Sequence, residues 1–585
     1  MHHYRVNEVR MRIGEEANHL PGHISKKLSI PVAWIESYDI RRESVDARDK
    51  SDIRMVYTVD FYTKKPLRRK HRNLQEVGDE RPQEPVPGDE PLTGRPLIVG
   101  FGPCGIFAAL HLARRGYRPI VIERGKPMAD RVADVERFRE EGVLNPESNV
   151  LFGEGGAGTF SDGKLTSGIK SDYIRDVLET FVEAGANPRI LYQHRPHIGT
   201  DVLRHVIVKI REEIIRWGGE IRFETKLDSL LLSNTPATAG VFESNATADS
   251  GVSSSAADLN SCREFGISED DILSGAAVNA AAIGCSTANT DIALEEKKYR
   301  ITGAIVETRD GHKETIHTNA IILAIGHSAR DTFRMIRDTG LPMEQKPLSI
   351  GVRMEHPQEI IDRAQYGDER RLPPADYKVS YRASNGRGVY SFCMCPGGEV
   401  IVCSTKEEEL CVNGMSNSAR DSGTANSGVL CDVRTSDFGS EDVLAGIAFQ
   451  EKYERIAYQM GLREHGRIFA APRCTMAEFL GGTGDSHYVT DSLPDFAVDA
   501  IREAVPHFAR RIHGYDMPDA IIKAVETRSS SPLRILRDET GQSAVRGLYP
   551  AGEGAGYAGG ITSAACDGIR MANHLIEKFA PPENE

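Results

Sequence analysis

The sequence predicts an α/β protein: a parallel sheet flanked by helices, with a mixed-sheet domain inserted into it and a small α+β module in front. Three observations predict this. The apolar run Leu97–Val99 leads into a glycine-rich turn, an apolar helical stretch ending near Gly116 and a second apolar strand, which is the order of one βαβ unit. A second glycine-rich turn, at 552–560, also opens a helix. Between the two, residues 343–523 read as strands in succession with two helices, the pattern of a separate mixed or antiparallel sheet.

Residues 1–73 read as a βαββ-type module. Tyr4–Ile13 alternates as a strand does, Leu20–Leu28 suits a short helix, and Ala33–Ile40 and Ile53–Phe61 read as further strands. Arg41, Arg42, Arg48, Arg54 and the run at 64–72 give it a basic face, either a solvated surface or a dock for an acidic partner. Residues 74–94, with Pro82, Pro85, Pro87 and Pro91 among acidic side chains, predict an exposed linker.

Gly100, Gly102 and Gly105 then supply G-x-G-x-x-G around Pro103 and Cys104. The first glycine permits the tight turn, the second lets backbone approach a pyrophosphate, and the third lets helix pack on strand with its N-terminal N–H groups facing phosphate. Glu123 ends the second strand about 20 residues further on, where a carboxylate can accept from both ribose hydroxyls. A 2′-phosphate would be repelled there, which favours FAD or NAD over NADP. The unit is of Rossmann type.

Residues 149–168 carry Gly153, Gly155, Gly156, Gly158 and Gly163, too many for a packed helix or central strand and suited to a loop passing close to a flat ligand. Gly155, Gly156, Ala157 and Gly163 are candidate contacts. Lys164, the cation of the loop proper, is placed either near a flavin N5 edge or in solvent. Ser171–Ala184 and Thr200–Trp217 read as helices, and Ile221–Leu232 as a strand that puts Leu227 beside the adenine end. From 233 to 296 the chain is rich in Ala, Ser, Thr, Asn and Gly without periodicity, which predicts a largely disordered insertion. Tyr299–Val306 and Ala320–Ile325 resume the strands. The second stops at Gly326 and His327, where a returning strand would meet a cofactor; His327 reads as structural before catalytic.

In 343–523, Leu348–Met354, Tyr377–Tyr381, Gly388–Cys395 and Val400–Cys403 read as strands, Leu444–Met460 and Phe496–Arg511 as helices. Cys393 and Cys395 form a C-x-C, too tight for the C-x-x-C redox motif. As alternate strand residues they share a face and read first as structural thiols, second as a thiol-based function. No Cys and His set has zinc spacing. Residues 524–580 return to the first domain with 95–342. There Gly552 and Glu553 follow a short strand and Gly560-Ile561 opens the last helix, whose positive end suits a reduced flavin's N1/C2 oxygen edge.

With 585 residues the chain divides into several domains, and its net charge of −13 argues against general binding to nucleic acid or anionic membranes. Scattered cysteines, no apolar run of about 18 residues and no signal-peptide core place the expected location in the cytoplasm.

FGEGGAGTFSDGKL, FCMCPGG, NGMSNSARD, ETRSSSP and AGEGAGYAGGI resemble the uncharacterised FAD-dependent dehydrogenases or oxidoreductases among the two-dinucleotide-binding-domain flavoproteins. The likeness spans roughly residues 1–580 apart from the insertion. It implies FAD held by Gly100, Gly102, Gly105, Glu123, Arg124, the 155–164 loop, Gly326, Glu553 and Gly560-Ile561. The superfamily usually carries Asp in the C-terminal motif, one methylene shorter than Glu553. The expectation is an FAD-dependent oxidoreductase acting on an unidentified small molecule in the cleft between the domains, visited at most transiently by NAD(P)H, since no second G-x-G-x-x-G follows a strand. Arg528 and Ser529–Ser531 are expected to line that cleft. The alternative is a non-redox FAD-containing protein docking a macromolecule through the N-terminal module; an RNA modifier ranks third because of the charge.

Overall fold

The structure, a computed structural model, describes residues 1–67, 71–78, 82–234 and 297–582. The expected insertion falls outside these from residue 235 to 296, as does part of the basic run at 68–70.

Leu97–Val99 and its neighbours are apolar at every position because both faces of their sheet are covered. The five strands run in the spatial order Leu548–Pro550, Ile321–Leu323, Leu97–Val99, Ile120–Ile122, Glu220–Arg222, all parallel. Ile98, Val121, Ile322 and Tyr549 point to one side, against helices Pro103–Arg114, Thr200–Arg216 and Ile561–Lys578. Leu97, Val99, Ile120, Ile122, Ile321, Leu323 and Leu548 point to the other, where strands Thr225–Asn234, Tyr299–Thr308 and Lys313–His317 form an antiparallel layer. The strand expected at Ile221–Leu232 is therefore two, Glu220–Arg222 in the parallel sheet and Thr225–Asn234 in the antiparallel one. The chain changes layer at Glu224, whose φ is 51°.

The inserted domain is a six-stranded antiparallel sheet in the order Ser380–Arg382, Gly388–Cys395, Thr424–Val433, Leu348–Pro357, Ile521–Glu526, Arg473–Thr475. Helices Ala445–His465 and Asp495–Arg511 share its core, and Gly398–Cys403 pairs with Cys411–Ser416 beside it. We call this the cap. Ile521–Glu526 carries it past the expected limit at 523. Cys411–Ser416 and Thr424–Val433 escape a reading by alternation because Gly, Ser and Asn fill them and Thr424–Val433 is buried almost throughout.

In the N-terminal module, strands Ile35–Asp46, Arg54–Thr63, His2–Arg12 and Leu74–Glu76 make one sheet in that order. Helix Leu20–Leu28 lays Leu20, Ile24 and Leu28, four residues apart, on its core. The four arginines expected on the basic face meet partners within the chain. Arg41 reaches Asp60 at 3.1 Å, Arg48 pairs with Asp46 at 2.7 Å, Arg54 with Asp52 at 2.6 Å, and Arg42 meets His194 at 2.8 Å. The edge strand joins the first domain: the Glu43 N–H donates to the Tyr192 carbonyl and the His194 N–H to that of Glu43. The stretch read as an exposed linker is likewise fastened. Gly88 and Glu90 donate N–H groups to the Ile576 and Lys578 carbonyls at the end of the last helix.

Candidate active site

Helix Pro103–Arg114 starts at Gly102 and helix Ile561–Lys578 at Gly560, and no side chain caps either first turn. Each such end carries about half a positive charge. Both ends meet the glycine loop. A Cβ built on Gly158 would lie 2.9 Å from Ile561 Cγ1 and 3.7 Å from Pro103 Cγ, and one on Gly156, at φ 64°, 2.9 Å from the Gly102 Cα. Behind them Cys104 is packing, its Cβ 2.8 Å from where Gly552 would carry one. Gly105 sits so close to its strand that a Cβ would be 1.9 Å from the Gly100 carbonyl oxygen, and Gly100 itself backs onto Ala324. The returning strand delivers Gly326 against Gly554, with 2.4 Å from the Gly326 carbonyl to a Cβ there.

Glu123 ends its strand as expected, 6% exposed. Its carboxylate accepts the N–H groups of Phe101 at 2.9 Å, Gly125 at 2.9 Å and Gly153 at 3.0 Å, so it ties the fingerprint turn to the glycine loop. Arg124 pairs with Glu147 and, bidentately, with Asp331, and lies over the Phe152 ring at 4.5 Å. Leu227 packs into the core beneath this edge. Gly155 donates its N–H to the Phe101 carbonyl, and Gly163, at φ 67°, abuts Gly199. Ala157 opens a single turn to Phe160. Arg131, missed in the sequence, organises the loop: fully buried, it donates to the carbonyls of Asn149, Val150, Glu154 and Gly156.

At the far end of the loop Lys164 stands 3.6 Å from buried Asp162, which Arg420 also approaches at 3.6 Å and to which Ser416 donates. Burial pushes the Asp162 carboxyl up, but Lys164, Arg420 and His197 outweigh it and hold it below the usual carboxylate range. Burial, then the Arg420 charge, brings His197 down to about 4 and keeps it neutral at pH 7. Beside the C-terminal turn His327 Nδ1 is 3.4 Å from Glu553 Oε1, while His327 Nε2 and Ser328 Oγ are buried without a partner among the described residues. Burial brings the neighbouring Lys346 down to about 8, Arg534 adding to this and Glu553 opposing it.

The expectation for Arg528 needs correction. Its guanidinium is not offered to the cleft: Nε and Nη2 donate to Glu454 at 3.0 and 2.8 Å and Nη1 to Thr405. Ser531 bonds the Leu533 and Gly554 carbonyls. A buried carboxylate on helix Ala445–His465 claimed the cation, and the signal for it was available. Gln450, Glu451 and Glu454 fall on the same buried stripe as Ile447, Ala457 and Tyr458.

A family model described as FAD-dependent protein, C-terminal domain-like, matches residues 347–529, and a domain of unknown function matches residues 3–62. A Clostridium beijerinckii protein described as uncharacterized is 38% identical over 603 residues, covering 99% of each chain. The chain belongs to this family of FAD-dependent proteins. Among solved structures, a geranylgeranyl bacteriochlorophyll reductase-like protein from Thermoplasma acidophilum is 13% identical with TM-score 0.30, over 83% of this chain and 78% of that one. A flavoprotein/dehydrogenase from Cytophaga hutchinsonii is 11% identical with TM-score 0.30, over 84% and 79%.

FAD is the cofactor of this flavoprotein, and the residues present fit it. Gly102 and Gly560 have ordinary or extended backbone and leave nearly free the space a side chain would fill, with at most Gly156 Cα at 3.7 Å. Two uncapped helix ends supply N–H groups for phosphate and flavin oxygens, and the orphaned His327 and Ser328 atoms lie where the returning strand ends. Among the described residues no helix is long and apolar enough to cross a membrane, and no group of His, Cys, Asp or Glu is placed to hold a metal ion.

Proposed function

We propose that this flavoprotein is an oxidoreductase that passes electrons between FAD and a small-molecule substrate entering between the glycine loop and the cap. What carries the reading is the double duty of one loop: Gly156 closes on the fingerprint turn, and Asp162 and Lys164, a few residues later, face the cap. FAD supplies two-electron chemistry. The chain's own part is to orient and to set charge. The two helix ends offset negative charge on the cofactor, Lys164 holds a positive charge next to the cap, and Arg528 acts through Glu454 as a positioning residue. Burial, then the Arg195 charge, lowers Lys378, with Asp376 opposing this and Lys164 adding to it, and Arg195 is itself paired with Asp376.

The docking alternative would use the N-terminal module, whose edge strand Ile35–Asp46 is engaged by residues 192–194 at Glu43. The test is the visible spectrum of the purified protein, followed by anaerobic titration with NADH, NADPH and dithionite. A flavin band bleached by a physiological donor is the expected result. A bound flavin that no such donor reduces would return the protein to a non-redox role.

A further inference from the structure

The sulfur pair of the cap faces this same loop. Strand Gly388–Cys395 slips register against Thr424–Val433 between Phe392 and Cys395, and Cys393 sits at φ 40°, a conformation that side-chain-bearing residues rarely adopt. Residues two apart on a regular strand are separated by about 6.8 Å, near the upper limit a disulfide spans. The bulge folds the pair inward, so that the Cys395 thiol donates to the Cys393 carbonyl at 3.2 Å. The two cysteines differ in access: Cys393 is half-buried and Cys395 fully buried. Arg353, fully buried, donates Nη1 to the Cys393 carbonyl at 2.9 Å and lies 4.0 Å from Cys395 Sγ.

We propose that Cys393 and Cys395 form a redox-active dithiol, with Cys393 the attacking and Cys395 the resolving thiol, that reduces a small disulfide substrate reaching the cap beside Lys164. The thiolate of Cys393 attacks one substrate sulfur, the substrate S–S bond breaks, and the second sulfur leaves as a thiolate. Cys395 then loses its proton and attacks Cys393, closing the internal disulfide and releasing the first sulfur as thiolate, which takes up a proton. Reduced FAD, when bound, would supply the two electrons and two protons that reopen the pair, so the cycle rests on the oxidoreductase reading above.

The surroundings favour the first step. Hydrogen bonding from Cys395 lowers the Cys393 thiol most; burial opposes this, and Lys164 and Arg353 lower it further against Asp162. Burial raises Glu526 to about 7 against the opposing Arg353, with Cys393 adding the smallest share. Cys395 moves the opposite way, as expected when one proton is shared by two thiols. Cys403 and Cys411 supply an internal control. They pair directly across their strands and are both buried, but the hydrogen bond to Cys411 and burial push Cys403 well above the ordinary thiol range.

The experiment needs no variant to begin. Native holoprotein is equilibrated in reduced and oxidised glutathione and alkylated at pH 6 with iodoacetamide, and the peptides are weighed. The expected result is that Cys393 alkylates at least tenfold faster than the same cysteine in denatured protein, and that oxidation removes two hydrogens from the 393–395 peptide alone. Lys164→Met should raise the pH midpoint of Cys393 alkylation by about one unit, and Cys403→Ser should leave it unchanged. Alkylation of Cys393 no faster than in denatured protein, or a disulfide between Cys403 and Cys411 instead, overturns the proposal. A dithiol behaving as expected in a protein whose flavin no donor reduces would overturn the electron supply and leave the thiol chemistry standing.

Discussion

At the cofactor cradle the chain brings backbone to backbone. Gly102 faces Gly156, Gly326 faces Gly554, and Glu123 spends its carboxylate on three N–H groups. The cap is held around buried charge instead. Arg330 and Arg528 both grip Glu454, which also accepts from Thr527, and fully buried Arg353 grips Glu526 at 2.6 and 2.8 Å. The cradle thus depends on the absence of side chains and the cap on a few irreplaceable ones. Substitutions should separate the two: in the cradle they cost cofactor without fold, and in the cap they cost fold first.

The largest effect is expected at Glu454. Removing it as Glu454→Ala takes the carboxylate from Arg528 and leaves Arg330 with only Glu409 at 3.4 Å and Glu451 at 3.9 Å, which should cost about 3–5 kcal/mol, measured by denaturant unfolding. A variant as stable as the parent would erase the contrast between the regions. In the cradle, Gly102→Ala should weaken FAD binding by roughly tenfold to a hundredfold, about 1.4–2.8 kcal/mol. The new Cβ has only Gly156 Cα nearby, at 3.7 Å, so apoprotein stability should stay put. Loss of stability with FAD binding retained would show that the glycine serves packing rather than the cofactor.

Acid should find the cap's charge. Burial raises the Glu454 carboxyl, but Arg330 and Arg528 more than reverse this and hold it far below the usual range. A depressed folded-state value contributes stability that is complete above the unfolded value near pH 4.3 and is lost as pH falls toward the folded one. Unfolding followed between about pH 5 and 2 should therefore steepen in the parent, and Glu454→Gln should flatten that limb while lowering stability at neutral pH. Parallel acid limbs in both proteins would place the sensitivity elsewhere.

The same contrast explains what the sequence made legible. Gly100, Gly102, Gly105 and Glu123 announce themselves because a tight turn and a strand end are local events. Arg353 and Glu526 are 173 residues apart, and Arg528 and Glu454 are 74 apart; no spacing rule joins such partners. Arg528 reads from the sequence as a cation lining the cleft, but its carboxylate lies on a helix whose buried stripe is polar at Gln450 and Glu454. Cys393 and Cys395 read as structural on a regular strand; the bulge that turns them together is set by pairing with Thr424–Val433, which alternation does not reveal.

The smallest predicted effect tests where the two regions meet. Glu553 lies on the cradle side, yet its carboxylate reaches His327 at 3.4 Å and its charge bears on Lys346, at the start of the cap. Glu553→Asp shortens the side chain by one methylene. If the contact to His327 only positions the returning strand, the change should cost about 0.5–1.5 kcal/mol of FAD affinity, the worth of one hydrogen bond, with the flavin spectrum unshifted. If Glu553 instead sets the charge balance around Lys346, moving the carboxylate lets that lysine fall further below about 8, and the pH profile of flavin reduction moves to lower pH while affinity holds. Isothermal titration of the apoprotein and a reduction profile between about pH 6 and 9, spanning the range in which a lysine so lowered would titrate, tell these apart.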